Sequence, residues 1–185
     1  MKIQLLPSTF DEHGCASARQ HLSCFVIDDC VAIDAGSLAM ATSIVQKNQI
    51  RDVILTHAHL DHIAGLPLFI DDLFATLDAP VRVHGTAEVI KTLERDIFNW
   101  EIYPRFSELK NDNGAVMEYR YFEVGKEFSV RHLNCQAVAV NHKVPTVGFV
   151  ISDGQTTFAL TGDTAEMSGF WQTLEANKNL STLLV

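Results

Sequence analysis

Short apolar runs broken by turn residues dominate the chain, and their lengths predict strands more often than helices. Residues 3–6 form the first such run, and a polar stretch to Gln20 follows it. Residues 22–28 and 30–34 predict two strands joined tightly around Asp28-Asp29, and Ala35-Gly36-Ser37 stops the second. Ser37 can then cap a helix over residues 38–47. Residues 52–55 predict a short buried strand, and residues 66–77 a helix starting near Pro67. After a strand at 81–84, Thr86 caps a helical stretch to about Phe98, with Glu88 near the capping-box position. Residues 99–114 are irregular. Strands are expected at 116–124, 127–131, 136–140 and 146–152, with Asp153-Gly154 turning into a strand at 156–160. A helix at 166–176 and a strand at 180–185 finish the chain. Strands and helices alternate early and antiparallel hairpins dominate late, which predicts an α+β fold with helices packed on mostly antiparallel or mixed sheets. No repeat, linker or low-complexity tract interrupts the pattern, so residues 1–185 are expected to form one domain.

Composition agrees with a folded chain: 47% of the 185 residues are hydrophobic and 20% charged. The balance of 14 basic against 23 acidic residues gives a formal charge of -9. Long nucleic acids are disfavoured as partners, because binding them normally needs a basic surface that displaces counterions. A small anionic substrate is not disfavoured, since a bound metal would be the largest local charge. The N-terminus lacks the apolar core of a signal peptide, and no apolar run reaches membrane-spanning length, so a cytoplasmic protein is expected. Cys15, Cys24, Cys30 and Cys135 show no CxxC spacing and are expected to be reduced.

The chemistry concentrates in one stretch. Thr56-His57-Ala58-His59-Leu60-Asp61-His62 places four candidate ligands within six residues, directly after an apolar strand. In extended backbone, residues two apart project to the same side, so His57 and His59 can grip one ion. If the chain then turns helical, Asp61 and His62 point elsewhere and can serve a second. Imidazole with carboxylate suits zinc, with manganese or iron as alternatives. His142 and Asp163 each follow a predicted strand, where a layered fold collects its functional loops. His13, His21, His84 and His132 read as structural or surface residues: His21 and His84 sit at strand edges with no partner at ligand spacing, and His13 lies in a loop that could border a pocket. Trp100, Tyr103 and Phe106 read as cover for an apolar surface, with a homodimer interface or a base-stacking flap as further roles.

The order His57-Ala58-His59-Leu60-Asp61-His62, then His142, then Thr161-Gly162-Asp163-Thr164 resembles the metallo-β-lactamase superfamily across the chain, and Asp34-Ala35-Gly36 resembles that family's early Asp motif. The resemblance implies an αββα sandwich with two divalent ions. His57, His59 and His142 would bind the first ion, Asp61 and His62 the second, and Asp163 would bridge both. Asp34 would orient ligands by hydrogen bonding. Asp61 or Asp163 would handle the proton of the attacking water. Residues 57–66 are also similar to the signature of class II cyclic-nucleotide phosphodiesterases, which implies cleavage of 3',5'-cyclic nucleotides to nucleoside monophosphates. Pro67 departs from that signature. Gly65-Leu66-Pro67 is similar to tRNA 3'-processing ribonucleases, which have Gly where this chain has Leu60. Thioesterases and lactonases share the scaffold, and a non-catalytic metal-binding module is the alternative outside enzymes. The family's last histidine ligand lies near its C-terminus, whereas no histidine follows His142. The resemblance therefore implies that a C-terminal segment is missing here, leaving a weaker second site.

Overall fold

A computed structural model describes residues 1–166, 168–175 and 179–185. The chain divides into two compact units, one of residues 2–85 and 89–120, the other of Met1, residues 86–88 and 121–185.

In the first unit, β1 (Ile3–Leu5), β2 (Phe25–Ile27) and β3 (Val31–Ile33) form an antiparallel meander. Asp28 and Asp29 make its tight turn at φ of 46° and 57°, the left-handed region that short polar side chains tolerate. The predicted helix at 38–47 is two helices, α1 (Leu38–Ala41) and α2 (Ile44–Gln49). The Ser37 hydroxyl donates to the Leu6 carbonyl instead of capping, while Ser43 and Gln46 form a reciprocal capping box on α2.

Next, β4 (Asp52–Ile54) pairs parallel with β3. The short helices α3 (Leu60–Ile63) and α4 (Leu66–Leu73) follow, then β5 (Val81–Gly85), parallel to β4. Burial on both faces explains why β3 and residues 53–55 read as continuous apolar runs rather than alternating ones. Helix α4 ends earlier than the predicted Leu77, where side-chain amides of Asn111 and Asn113 donate to the Phe74 and Leu77 carbonyls. The helix α5 (Ala87–Asp96) follows, then a 3-10 turn at Phe106–Glu108. The predicted strand at 116–124 is shorter: β6 (Lys110–Asn111) and β7 (Gly114–Ala115) make a small hairpin, and β8 (Met117–Tyr121) joins the main sheet. That sheet runs β1-β2-β3-β4-β5-β8. Its core gathers Val53, Leu55, Phe69, Ile70, Val83, Leu93, Phe98 and Phe106.

The second unit is a five-stranded sheet. It contains β9 (Glu127–Val130), β10 (Leu133–Ala139), β11 (Val147–Ser152), β12 (Thr157–Leu160) and β13 (Leu180–Leu184), in the order β13-β12-β11-β10-β9. All its pairings are antiparallel except that β13 lies parallel to β12. Helix α6 (Gly169–Glu175) covers it with Phe170 and Leu174 against Val150 and Ala159. The helix expected at 166–176 is thus shorter in its described part, and Met167 and Ala176 lie outside the described residues. Gly148 lets α6 close on β11: a Cβ there would sit 2.6 Å from the Phe170 ring and 2.7 Å from the Leu160 carbonyl. Among the described residues, no helix is long and apolar enough to cross a membrane.

Candidate metal centre

In the first unit, β3 and β4 run parallel in register, Ile33 beside Ile54. The residues just past each strand therefore emerge side by side: Asp34 after β3, Thr56 and His57 after β4. Asp34 is fully buried at φ 57°, a conformation that turns its carboxylate back toward β4. There it accepts the Thr56 backbone N–H (2.9 Å), the Thr56 hydroxyl (3.0 Å to each oxygen) and His62 Nδ1–H (2.7 Å). Three donors on one carboxylate satisfy a group that would otherwise be costly to bury.

Backbone hydrogen bonds lock the same loop from outside. Ser23 N–H donates to the Asp61 carbonyl (2.9 Å), Ala35 N–H to the His62 carbonyl (2.7 Å) and Gly65 N–H to the Ala35 carbonyl (2.9 Å). Such close approach needs glycine: a Cβ on Gly36 would lie 1.9 Å from the Asp61 carbonyl oxygen, and one on Gly65 2.5 Å from that of Ala35. The sequence marks Gly36 as a strand stop and as the end of the Asp34-Ala35-Gly36 motif. Its tight packing against a loop 25 positions away has no local signal.

Within this frame His57 and His59 stand with ring centroids 4.5 Å apart, and His57 and His62 4.1 Å apart. His57 and His59 each offer a ligand atom within 4.8 Å of the other, and so do Asp61 and His62. The carboxylate of Asp61 lies 3.6 Å from His62 Nε2 and is half exposed, whereas His62 is buried.

In the second unit, β10 and β12 flank β11 and are both antiparallel to it, so their C-terminal ends lie at the same edge of the sheet. His142 follows β10 and Asp163 follows β12, with His142 Nε2 4.0 Å from Asp163 Oδ2. Asn141 ties the two loops together. Its N–H donates to Thr164 Oγ1 (3.2 Å), its side-chain amide to the Glu166 carbonyl (3.1 Å), and its carbonyl accepts from Ala165 N–H (2.7 Å). Asn141 and Thr164 thus join the loops that carry His142 and Asp163, a role that the sequence pattern gives to neither.

The remaining candidates fall outside these clusters. His84 Nε2–H donates to the buried Asp52 carboxylate (2.9 Å), which also takes Arg82 Nε (2.6 Å), so His84 belongs to a structural ion-pair group. His13, His21 and His132 are exposed. The aromatic trio divides: Phe106 is core, tilted against Phe74 and Tyr103 and edge-on to Phe98, while Trp100 is half exposed. Phe106 is therefore not part of a surface flap. Burial pushes the Cys24 thiol well above its ordinary range, with the Asp34 charge adding to it, so Cys24 acts as a packing residue whose Sγ–H donates to the Asp34 carbonyl (3.3 Å). Burial likewise raises Cys135 to about 12.

Parallel strands that end in a buried Asp–Thr–His network, with His57, His59 and His62 just beyond β4, define a metallo-hydrolase scaffold in fold and in local pattern. Residues 29–185 match the family described as "Beta-lactamase superfamily domain", and the chain belongs to it. This fold is the frame of metal-dependent hydrolases and implies divalent-metal binding. A protein of Yersinia pestis named "Probable 3',5'-cyclic-nucleotide phosphodiesterase" is 27% identical over 143 residues, 74% of this chain and 38% of that one. A "3',5'-cyclic-nucleotide phosphodiesterase" of Aliivibrio fischeri is 27% identical over 124 residues, 64% of this chain and 36% of that one. The chain thus spans well under half the length of these curated relatives. Among solved structures, unliganded yeast PDE1 superposes with a TM-score of 0.74 at 14% identity, covering 98% of this chain and 73% of that one. At that identity the likeness shows the metallo-β-lactamase fold alone.

Proposed function

We propose that the chain is the metal-binding hydrolytic domain of a phosphodiesterase that opens 3',5'-cyclic nucleotides to nucleoside monophosphates. The observation that carries this reading is the rigid loop of residues 56–62, which holds two imidazoles and an imidazole–carboxylate pair at ligand separation on a buried frame. The names of the two relatives support the substrate class.

The donors fit divalent cations. His57, His59 and His142 would hold one ion, Asp61 and His62 a second, and Asp163 both. Nitrogen and carboxylate donors without thiolate favour zinc, with Mn2+ or Fe2+ as the hard-ligand alternatives. When bound, the ions supply Lewis acidity toward the phosphoryl oxygens and ease deprotonation of water. The chain's own residues do the rest. Asp34 holds His62 in one orientation, and either Asp61 or Asp163, both partly exposed carboxylates, takes the proton of the attacking water and passes it to solvent.

A turnover panel on protein of measured metal content tests the reading. It compares cyclic AMP, an aryl phosphodiester, a glutathione thioester and a precursor tRNA. Cyclic AMP should be cleaved, and His59→Ala or Asp163→Ala should nearly abolish turnover without unfolding the chain. Cleavage of the thioester alone, or full activity in both variants, would overturn it.

A further inference from the structure

Thr56 is fully buried and sits between Asp34 and His57, and its hydroxyl makes more polar contacts than one proton can serve as donor. Its Oγ1 lies 3.0 Å from both Asp34 oxygens, 3.0 Å from His57 Nδ1 and 3.4 Å from His62 Nδ1. The directions of these bonds can be worked out. A carboxylate only accepts, so the single hydroxyl proton points at Asp34. The lone pairs of Oγ1 are then left facing His57 Nδ1, and a bond forms only if that nitrogen carries hydrogen. The opposite arrangement, with the hydroxyl donating to His57, would turn an oxygen lone pair onto the buried carboxylate. His62 Nδ1, 2.7 Å from Asp34 Oδ2, carries a proton by the simpler version of the same logic.

We infer that Thr56 is a positioning residue that relays the Asp34 charge to His57, so that one buried carboxylate sets the tautomer of two imidazoles. It acts on His62 directly and on His57 through the Thr56 hydroxyl. In both rings the lone pair is thereby placed on Nε2, the nitrogen through which each would ligate an ion. The loop's geometry serves this arrangement: Thr56 N–H also donates to Asp34 Oδ1 (2.9 Å), so backbone and side chain of Thr56 clasp the same carboxylate. The inference rests on the metal-binding reading only for its consequence, and the tautomers belong to the metal-free protein. Ligating histidines oriented through the other ring nitrogen typically lose about 10- to 100-fold in metal affinity when that partner is removed.

The test uses the metal-free chain and the near-isosteric Thr56→Val, with Thr56→Ser as the variant that keeps the hydroxyl. Long-range proton–nitrogen NMR spectra at about pH 8, where ordinary imidazoles are neutral, read the protonated nitrogen of each ring. Wild type and Thr56→Ser should show Nδ1–H at both His57 and His62. In Thr56→Val, His57 alone should shift toward Nε2–H. Chelator competition with zinc should then show affinity reduced about 10- to 100-fold in Thr56→Val and restored in Thr56→Ser. A merely structural Thr56 would lower stability without moving one ring's tautomer. Nε2–H at His57 in the wild type, or an unchanged His57 in Thr56→Val, overturns the relay. Zinc binding to none of the three proteins, with the tautomers as expected, would overturn the metal-binding reading and leave the relay standing.

Discussion

At the scale of single residues, the loop of residues 56–62 is shaped as much by atoms that are absent as by its ligands. Gly36 has no Cβ because the Asp61 carbonyl occupies the space 1.9 Å from where one would be. Gly36→Ala should therefore force apart the segments joined by the Ser23–Asp61 and Ala35–His62 bonds, at a cost of more than about 3 kcal/mol. Gly169→Ala, with nothing within 4 Å of the added carbon, should change stability by less than about 0.5 kcal/mol. Urea unfolding of both variants measures the contrast, and equal effects would contradict it. The candidate ligands could be proposed from the sequence because six imidazoles and carboxylates come in a patterned order after three apolar strands. The residues that aim them were less so. Asp34 was suggested by resemblance, but Thr56, Gly36 and Asn141 act through contacts that only folding creates.

Among the elements, the parallel trio β3-β4-β5 and the antiparallel β10-β11-β12 do one job: each delivers several strand ends to one edge. The strands could be read from their apolar runs, whereas the parallel placement of β13 could not, because a five-residue run carries no mark of its partner's direction. Helix ends were read less well. Ser37 looks like a cap, but its hydroxyl serves Leu6, and the neighbouring Ser43 caps instead. The Asp153 turn between β11 and β12 was legible, and its carboxylate carries a measurable signature. Its Oδ1 accepts the backbone N–H of Thr156 (2.8 Å) and of Gln155 (2.9 Å), which together with other interactions holds it well below the usual carboxylate range. A depressed folded-state pKa means that the ionised form stabilises the fold above the unfolded value, near 4, and that this stability fades as pH falls further. The urea midpoint of wild type should therefore exceed that of Asp153→Asn at about pH 6 and approach it below about pH 3. A gap independent of pH would show that the charge contributes nothing.

For the molecule as a whole, an acidic chain with a formal charge of -9 is an unfavourable setting for an anionic phosphodiester unless cations are bound near it. The proposed ligands come from stretches far apart in sequence, residues 57–62, 142 and 163, and the proposed activity depends on their holding the same ions. The α+β fold and the family were legible because the motif order spans most of the chain. The choice among phosphodiester, thioester and RNA substrates was not, because the loop of residues 57–62 determines cation chemistry and leaves the shape of the substrate unspecified. The most direct test is diffraction from zinc-loaded crystals, recorded on both sides of the zinc absorption edge. Anomalous peaks within coordination distance of His57, His59, His142 and Asp163, with a second beside Asp61 and His62, are the expected result. Zinc bound elsewhere, or bound by residues 57–62 with His142 and Asp163 taking no part, would contradict the account.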